Sequence, residues 1–242
     1  MDGYGDYCPV SRGADIFATR WTPLIIRNLL LGCETFTELR AGAPGISRTL
    51  LTQRLRMLEH HGVIDRIAGA GNRVTYRLAP AGQALAPVVM ALGAWGEEWI
   101  ELAPEHFRAD TVIWGVCQDI RPGEVPDEGR FVIRFDVPDD DRRQSYWLLL
   151  DNGRAEVCRK PPGDADDFVI RADAETLVRW HMGELSLGQA VAAGSMTVSG
   201  PRWMERLIAS WGGRASFEHN EILAAAVPRG GVPLPTLEPV IA

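Results

Sequence analysis

Lysine is almost missing from this chain: of its 25 basic residues, only Lys160 is not arginine. A GC-rich coding composition accounts for that bias without invoking function. Cysteine is sparse too. The four positions, 8, 33, 117 and 158, make neither a CxxC pair nor a metal-ligand cluster. HExxH, Walker and GxSxG sequences are absent. Metal and nucleophile chemistry therefore lack support, and neither a cofactor nor a catalytic set is expected. Long apolar runs are lacking as well: stretches such as Trp21 to Leu31 carry a proline or an arginine and fall short of a membrane span. The first residues, MDGYGDYCPV, are acidic and have no apolar secretion core. The expectation is a cytoplasmic protein with no membrane partner.

A basic excess is the last absence. Thirty-two acids against 25 bases leave a net charge of -7, which at face value speaks against a nucleic-acid partner. What is present suffices for two domains: 242 residues, 46% hydrophobic and 24% charged. The charge divides unevenly between them. Residues 1–103 hold 10 bases and 10 acids, whereas residues 104–242 hold 15 and 22. Inside the first half, Ile46 to Arg77 sets six arginines against Glu59 and Asp65. The acidity belongs to the second half, and a basic segment stands in the first.

Helix signals dominate that first half. In TPLIIRNLLLG, Thr22 can cap, Pro23 suits the first position and Gly32 stops the helix, with Leu24, Ile25, Leu29 and Leu30 at core spacing. A short helix FTELRAG follows, starting at Thr35 or Thr37, and Pro44-Gly45 breaks the chain. Ser47 can cap the next helix, which ends at Gly62. Leu51, Leu55 and Leu58 share one face of it, while Arg48, Thr49, Thr52, Gln53 and Arg56 lie largely on the other. Val63 to Ile67 and Arg73 to Leu78 read as a hairpin around AGAGN. Two short helices and a hairpin suit a winged helix-turn-helix, whose second helix fits the major groove. An amphipathic surface helix beside an unrelated hairpin fits the same pattern.

The segments CPVSRGADIF, RWTPLIIRNLLLG, FTELRAGAPGISRTLLTQRLRMLEHHGVIDR and VTYRLAPAG resemble the HxlR branch of the MarR-like winged-helix transcription regulators, over roughly residues 7–100. The resemblance implies a homodimer binding double-stranded DNA at a pseudo-palindromic operator. Ser47, Arg48, Thr49, Thr52, Gln53, Arg54 and Arg56 become its recognition surface, with Asn72 and Arg73 at the wing tip. The chain departs from the family at Ala79-Pro80, where a capping threonine is usual, and at Thr19-Arg20, where Gly-Lys is frequent. A helix from about Gly82 to Leu102 carries Leu85, Val89, Leu92, Trp95, Trp99 and Leu102 at spacings of three or four. Packing within the chain or a dimer seam both fit, and the resemblance favours the dimer, together with the N-terminal segment. In some members a cysteine at the position of Cys8 senses oxidants or electrophiles. Such a role needs an exposed thiol of lowered pKa, and a small buried side chain is the alternative.

The second half reads as strands and then helices. FVIRFDV alternates, SYWLLLDNGRAEVC has a hairpin turn at Asn152-Gly153, and DFVIRAD runs through the cap Asp173 into AETLVRWHMG. Ser186 and Gln189 make a capping box, SMTVSG is a short strand, and Gly200-Pro201 opens a last helix. A meander with late helices on one face is expected. Residues 168–211, and more loosely 110–167, resemble the sterol carrier protein type 2-like fold, which implies an apolar binding pocket. Fold class is thus two domains, a mainly-α winged helix-turn-helix over residues 1–103 and an α+β sterol-carrier-like domain over 108–226. An extended tail, 227–242, follows. Candidate pocket residues for an apolar small-molecule effector are Phe131, Ile133, Phe135, Trp147, Leu149, Trp180, Met182, Met204, Leu207 and Trp211, which equally suit a plain core. His181 and His219 are isolated and read as structural or solvent-exposed. The acidic runs at 139–141 and 164–167 read as solvated loops. The sum is a ligand-responsive repressor. Its alternatives are a lipid carrier whose winged helix only dimerises and a thiol-based regulator working through Cys8.

Overall fold

The computed structural model describes residues 3–69, 71, 73–121, 123–126, 128–139 and 142–215. Asn72, His219 and the tail 227–242 lie outside the described residues. The chain opens with α1 (Pro9–Phe17), α2 (Thr22–Leu30), α3 (Phe36–Ala41) and α4 (Arg48–His60). An antiparallel hairpin follows, β1 (Ile64–Ala68) and β2 (Val74–Leu78), and then α5 (Pro80–Gln83) and α6 (Ala86–Trp99). Helix α2 corrects one expectation. Trp21 occupies the left-handed region at φ 80°, so Thr22 is the first helical residue and not the cap. Its buried hydroxyl meets Thr19 Oγ1 at 2.7 Å instead.

The helix expected over 82–102 is two helices. Pro87, near the start of α6, lacks an N–H, and its ring would collide with the carbonyl four residues back. The chain therefore breaks at Ala84 and Leu85, between α5 and α6. At the far end Ile100 is extended, with φ -112° and ψ 107°, which takes Leu102 off the helix. Ala79 gives α5 no side-chain cap, as the missing threonine implies.

Beyond a short turn at Pro104–His106 come α7 (Ala109–Gln118), β3 (Arg130–Asp139), β4 (Arg142–Asp151), β5 (Arg154–Cys158) and β6 (Phe168–Ala172). Next are α8 (Ala174–Met182), α9 (Leu187–Ala192), β7 (Met196–Ser199) and α10 (Arg202–Ala209). The strand order is β5-β4-β3-β6-β7. The meander holds from β3 to β5, where Asn152 and Gly153 turn the hairpin with φ 46° and 75°. It fails at β6, which runs parallel to β3 with Phe168 opposite Ile133. A tight turn cannot join parallel neighbours. The chain instead crosses through residues 159–167, where Asp167 bonds Val132 N at 2.8 Å and Asp166 pairs with Arg134 and with Trp147 Nε1.

Two cores result. Ile133, Phe135, Leu148, Leu150, Phe168 and Ile170 from the sheet pack with Ile113, Trp180, Met204, Ile208 and Trp211 from the helices. Ile25, Ile26, Leu39, Leu51, Leu55 and Leu58 form the other, and Trp114 of α7 belongs to it. Helix α7 thus serves both cores, with Ile113 and Val116 on one side and Trp114 on the other. Among the described residues no helix is long and apolar enough to cross a membrane.

Candidate nucleic-acid interface

The helix-turn-helix is fixed from its first turn. Thr35 caps α3 in a capping box: its hydroxyl accepts from Glu38 N, and Glu38 Oε2 accepts from the N–H groups of Thr35 and Glu34 at 2.8 and 2.9 Å. Burial pushes the Glu38 carboxyl up, but these donors outweigh it and hold it below the usual carboxylate range. Two polar neighbours inside the largely apolar α2 grip the other end of α3. Asn28, fully buried, donates to Leu39 O at 3.1 Å, and Arg27 Nη2 donates to Gly42 O at 2.7 Å. Gly42 leaves no room for more: a Cβ there would strike Trp114 and Asn28. Gly45, at φ 96°, then turns the chain towards α4.

Ser47 caps α4 by accepting from Leu50 N at 3.2 Å. Leu51, Leu55 and Leu58 are buried, each contributing roughly 2 kcal/mol. With about 100° between successive residues, Arg48, Thr49, Thr52, Gln53 and Arg56 fall on the opposite side. Arg48, Thr49, Gln53 and Arg56 are exposed there, while Thr52 is half-buried and spends its hydroxyl on Arg48 O at 2.9 Å. Arg54 stands apart. It lies roughly 170° round the helix from the centre of that face, and it is half-buried with its Nε fully covered.

The wing is anchored to this unit. Tyr76 N donates to Glu34 O at 2.7 Å, Thr75 bridges to Thr35, and Arg77 meets Glu34 Oε1 at 2.9 Å. Arg73 is exposed at the base of the turn, where its carbonyl accepts from Gly69 N. Together α4 and the wing present Arg48, Arg56 and Arg73 alongside short polar side chains, a surface able to meet phosphates and base edges.

The candidate pocket residues do not converge on one cavity. Ile133, Phe135, Trp180, Met204 and Trp211 are buried in the second core, with Phe131 and Leu207 packed against it. The Nε1 atoms of Trp180 and Trp211 are buried without an acceptor among the described residues. Trp147 and Leu149 face the other side of the sheet, because strand side chains alternate and Leu148 and Leu150 point into the core. Met182 lines a cavity between α2, α7 and α8 instead. That cavity also collects Arg27, Trp114, Asp119 and His181, which the sequence reading did not single out as a group. Arg27-Asn28 inside an apolar helix was the available signal. Of the two expectations for His181, solvent exposure does not hold: its Nε2 lies 2.9 Å from Asp119 Oδ2 in a buried pair.

Cys8 is half-buried just ahead of α1. Backbone donors of Ser11 and Val10 draw its thiol below the ordinary cysteine value. On α6 and just beyond, Leu92, Trp95, Trp99, Ile100 and Leu102 are all exposed, Trp99 by 65%, as are Tyr7 and Val10 near the N-terminus. Val89 is buried and Leu85 half-buried against the first core.

Comparison with known proteins agrees with this division. The family described as HxlR-like helix-turn-helix matches residues 16–104, and the SCP-2 sterol transfer family matches residues 126–204. The HTH-type transcriptional regulator YvaP of Bacillus subtilis (strain 168) is 37% identical over 99 residues, 40% of this chain and 92% of the relative. YdeP of the same organism is 35% identical over 94 residues, 38% of this chain and 73% of the relative. Among solved structures, the reduced form of the transcriptional regulator YodB from B. subtilis is 31% identical with a TM-score of 0.35, covering 40% of this chain and 97% of that one.

Proposed function

The chain belongs to the HxlR-like helix-turn-helix family of transcriptional regulators, and from that premise we propose that it is a repressor binding a pseudo-palindromic operator as a homodimer. The exposed face of α4 carries this reading. A helix about 10–12 Å across enters the major groove. Arg48 and Arg56 then reach phosphates or guanine edges, Thr49 and Gln53 read bases, and Arg73 of the wing touches the neighbouring backbone. Asn72 is assigned to the same wing contact. The apolar face of α6 supports the dimer, since Trp95 and Trp99 stand in solvent unless a second copy covers them. The second domain answers to an apolar small molecule in this reading, which fits its match to a sterol transfer family.

Selection of duplexes from a random pool, followed by gel shifts, tests the proposal. Enrichment of an inverted repeat with half-sites about one helical turn apart is expected. Absence of any enriched sequence overturns it and favours the carrier reading, in which the winged helix only dimerises. A redox role for Cys8 is supported by the backbone donors that lower its thiol. Unchanged operator affinity after quinone or peroxide treatment removes that role.

A further inference from the structure

The cavity between α2, α7 and α8 has a volume of about 260 Å³, and both halves of the chain build its wall. Arg27 comes from α2 and Leu31 from just beyond its end, Thr111 and Trp114 from α7, and Val178 and Met182 from α8. His106 and Arg108, both exposed, mark its mouth. Half of the lining residues are polar, and most of those are already engaged, which leaves Leu31, Val112, Trp114, Val178 and Met182 as its apolar part. Asp119 is bound to His181 at 2.9 Å, and its carbonyl accepts from Arg214 Nη1 at 2.9 Å. Gly115 lets that pair sit tightly, because a Cβ there would lie 2.8 Å from His181 Cε1.

Arg27 is engaged too, but it differs in the charge of its partners. Among the described residues its hydrogen-bond acceptors are Asn28 Oδ1 and Gly42 O, both uncharged. Its guanidinium carbon lies 4.9 Å from the centre of the Trp114 ring. Burial pulls the group down to about 10, with Cys33 and Asp119 opposing, so it stays charged at neutral pH. Among the described residues Arg27 hydrogen-bonds no anion, and the carboxylate on the same wall, Asp119, is taken up by His181, which leaves the guanidinium open to an anion supplied from outside. The apolar remainder selects an anion with one charged end and a greasy body.

We propose that this junction binds a small monocarboxylic acid, its carboxylate on Arg27 and its apolar body against Leu31, Trp114, Val178 and Met182. The site places the effector of the preceding reading between the domains, and its regulatory consequence rests on that reading. Arg27 Nη2 also holds Gly42 O, a few residues before Ser47 caps the recognition helix. A carboxylate on the guanidinium competes for that donor and frees the turn between α3 and α4. The acid therefore weakens DNA binding, by about tenfold for a coupling of ordinary size.

Calorimetric titration of the full chain with naphthoate, octanoate and the neutral naphthamide tests the site. Naphthoate or octanoate binds at one site per chain, and naphthamide binds about tenfold more weakly than naphthoate. Arg27→Gln removes the preference for acid over amide. Because that variant also gives up the bond to Gly42, Met182→Trp is measured beside it: it fills the cavity, keeps Arg27 and abolishes binding of the acid. Neither acid binding, equal affinity for acid and amide, or acid binding untouched in both variants overturns the proposal. A duplex from the selection above is then titrated with and without saturating acid. Arg27-dependent acid binding with unchanged DNA affinity leaves the site standing and overturns its regulatory role. Arg27-dependent acid binding by a chain that selects no duplex upholds the site and overturns the regulator reading.

Discussion

Trp114, from the first helix of the second half, packs against Arg27 in the helix-turn-helix unit, with the guanidinium carbon 4.9 Å from the indole centroid. The same indole lies against Gly42, at the end of the helix preceding the recognition turn. One side chain thus completes the core of the first half and touches the residues that set α4 in place.

Removing it has a large effect. Trp114→Ala is expected to cost about 3–5 kcal/mol, the range for deleting a buried aromatic. Gly42→Ala, which forces Trp114 and Asn28 apart, is destabilising in the same region of the fold. Urea denaturation of both variants measures this, and a Trp114→Ala protein as stable as wild type contradicts the packing described.

On the DNA side, Arg48→Ala and Arg56→Ala each weaken operator binding and lower the salt slope by about one if a phosphate contact is lost. Arg54→Ala separates position from charge. Its guanidinium is half-buried away from the polar face, so the variant changes stability and leaves the slope as it was. Fluorescence anisotropy over a range of salt concentrations distinguishes the three.

Trp95→Glu places a charge in the middle of the exposed apolar face of α6. Sedimentation should find it monomeric, with the helical content of wild type retained because the side chain is 54% exposed within one chain. A dimeric Trp95→Glu protein moves the interface elsewhere.

Acid sensitivity follows from a bidentate pair. Arg214 Nη1 and Nη2 bond the two oxygens of Glu124 at 2.7 and 2.6 Å and hold its carboxyl below its ordinary value of 4.5, with burial opposing. Glu38 and Asp136 are lowered too. A carboxylate depressed in the folded state stabilises fully above its unfolded value, and this is lost as pH falls through the folded one. Stability to urea should therefore decline as pH drops below 4.5. Glu124→Gln should cost about 1–3 kcal/mol at neutral pH and flatten that decline.

Local signals made most of this fold readable. The caps Thr35, Ser47, Asp173 and Ser186 form the expected bonds, and Asn152-Gly153 makes the expected turn. Leu51, Leu55 and Leu58 bury as their spacing requires. What escaped was decided over long distances or by a single backbone collision. Pro87 splits a helix that the apolar stripe alone would carry through. Helix α7 is short and carries Gly115 within it, and its role depends on which core each side chain enters. Nothing local distinguishes Trp147 from Leu148, yet strand register sends them to opposite faces. The exposed polar face of α4 was legible because one helix supplies all of it. The junction cavity was not, because α2 and α8 lie far apart in sequence.

The parallel pairing of β3 with β6 also sets a timetable. Ile133 waits for Phe168 before the middle of the sheet can close, and β7 has to arrive before its outer edge is covered. The helix-turn-helix and its hairpin draw on neighbours close in the chain, and such local contacts form early and fast. During synthesis from the N-terminus, the helix-turn-helix half can take shape while the sheet is still short of its strands. Until α7 emerges from the ribosome, however, the slot for Trp114 stays empty. The nascent chain passes through an interval in which the helix-turn-helix exists before the side chain that steadies it.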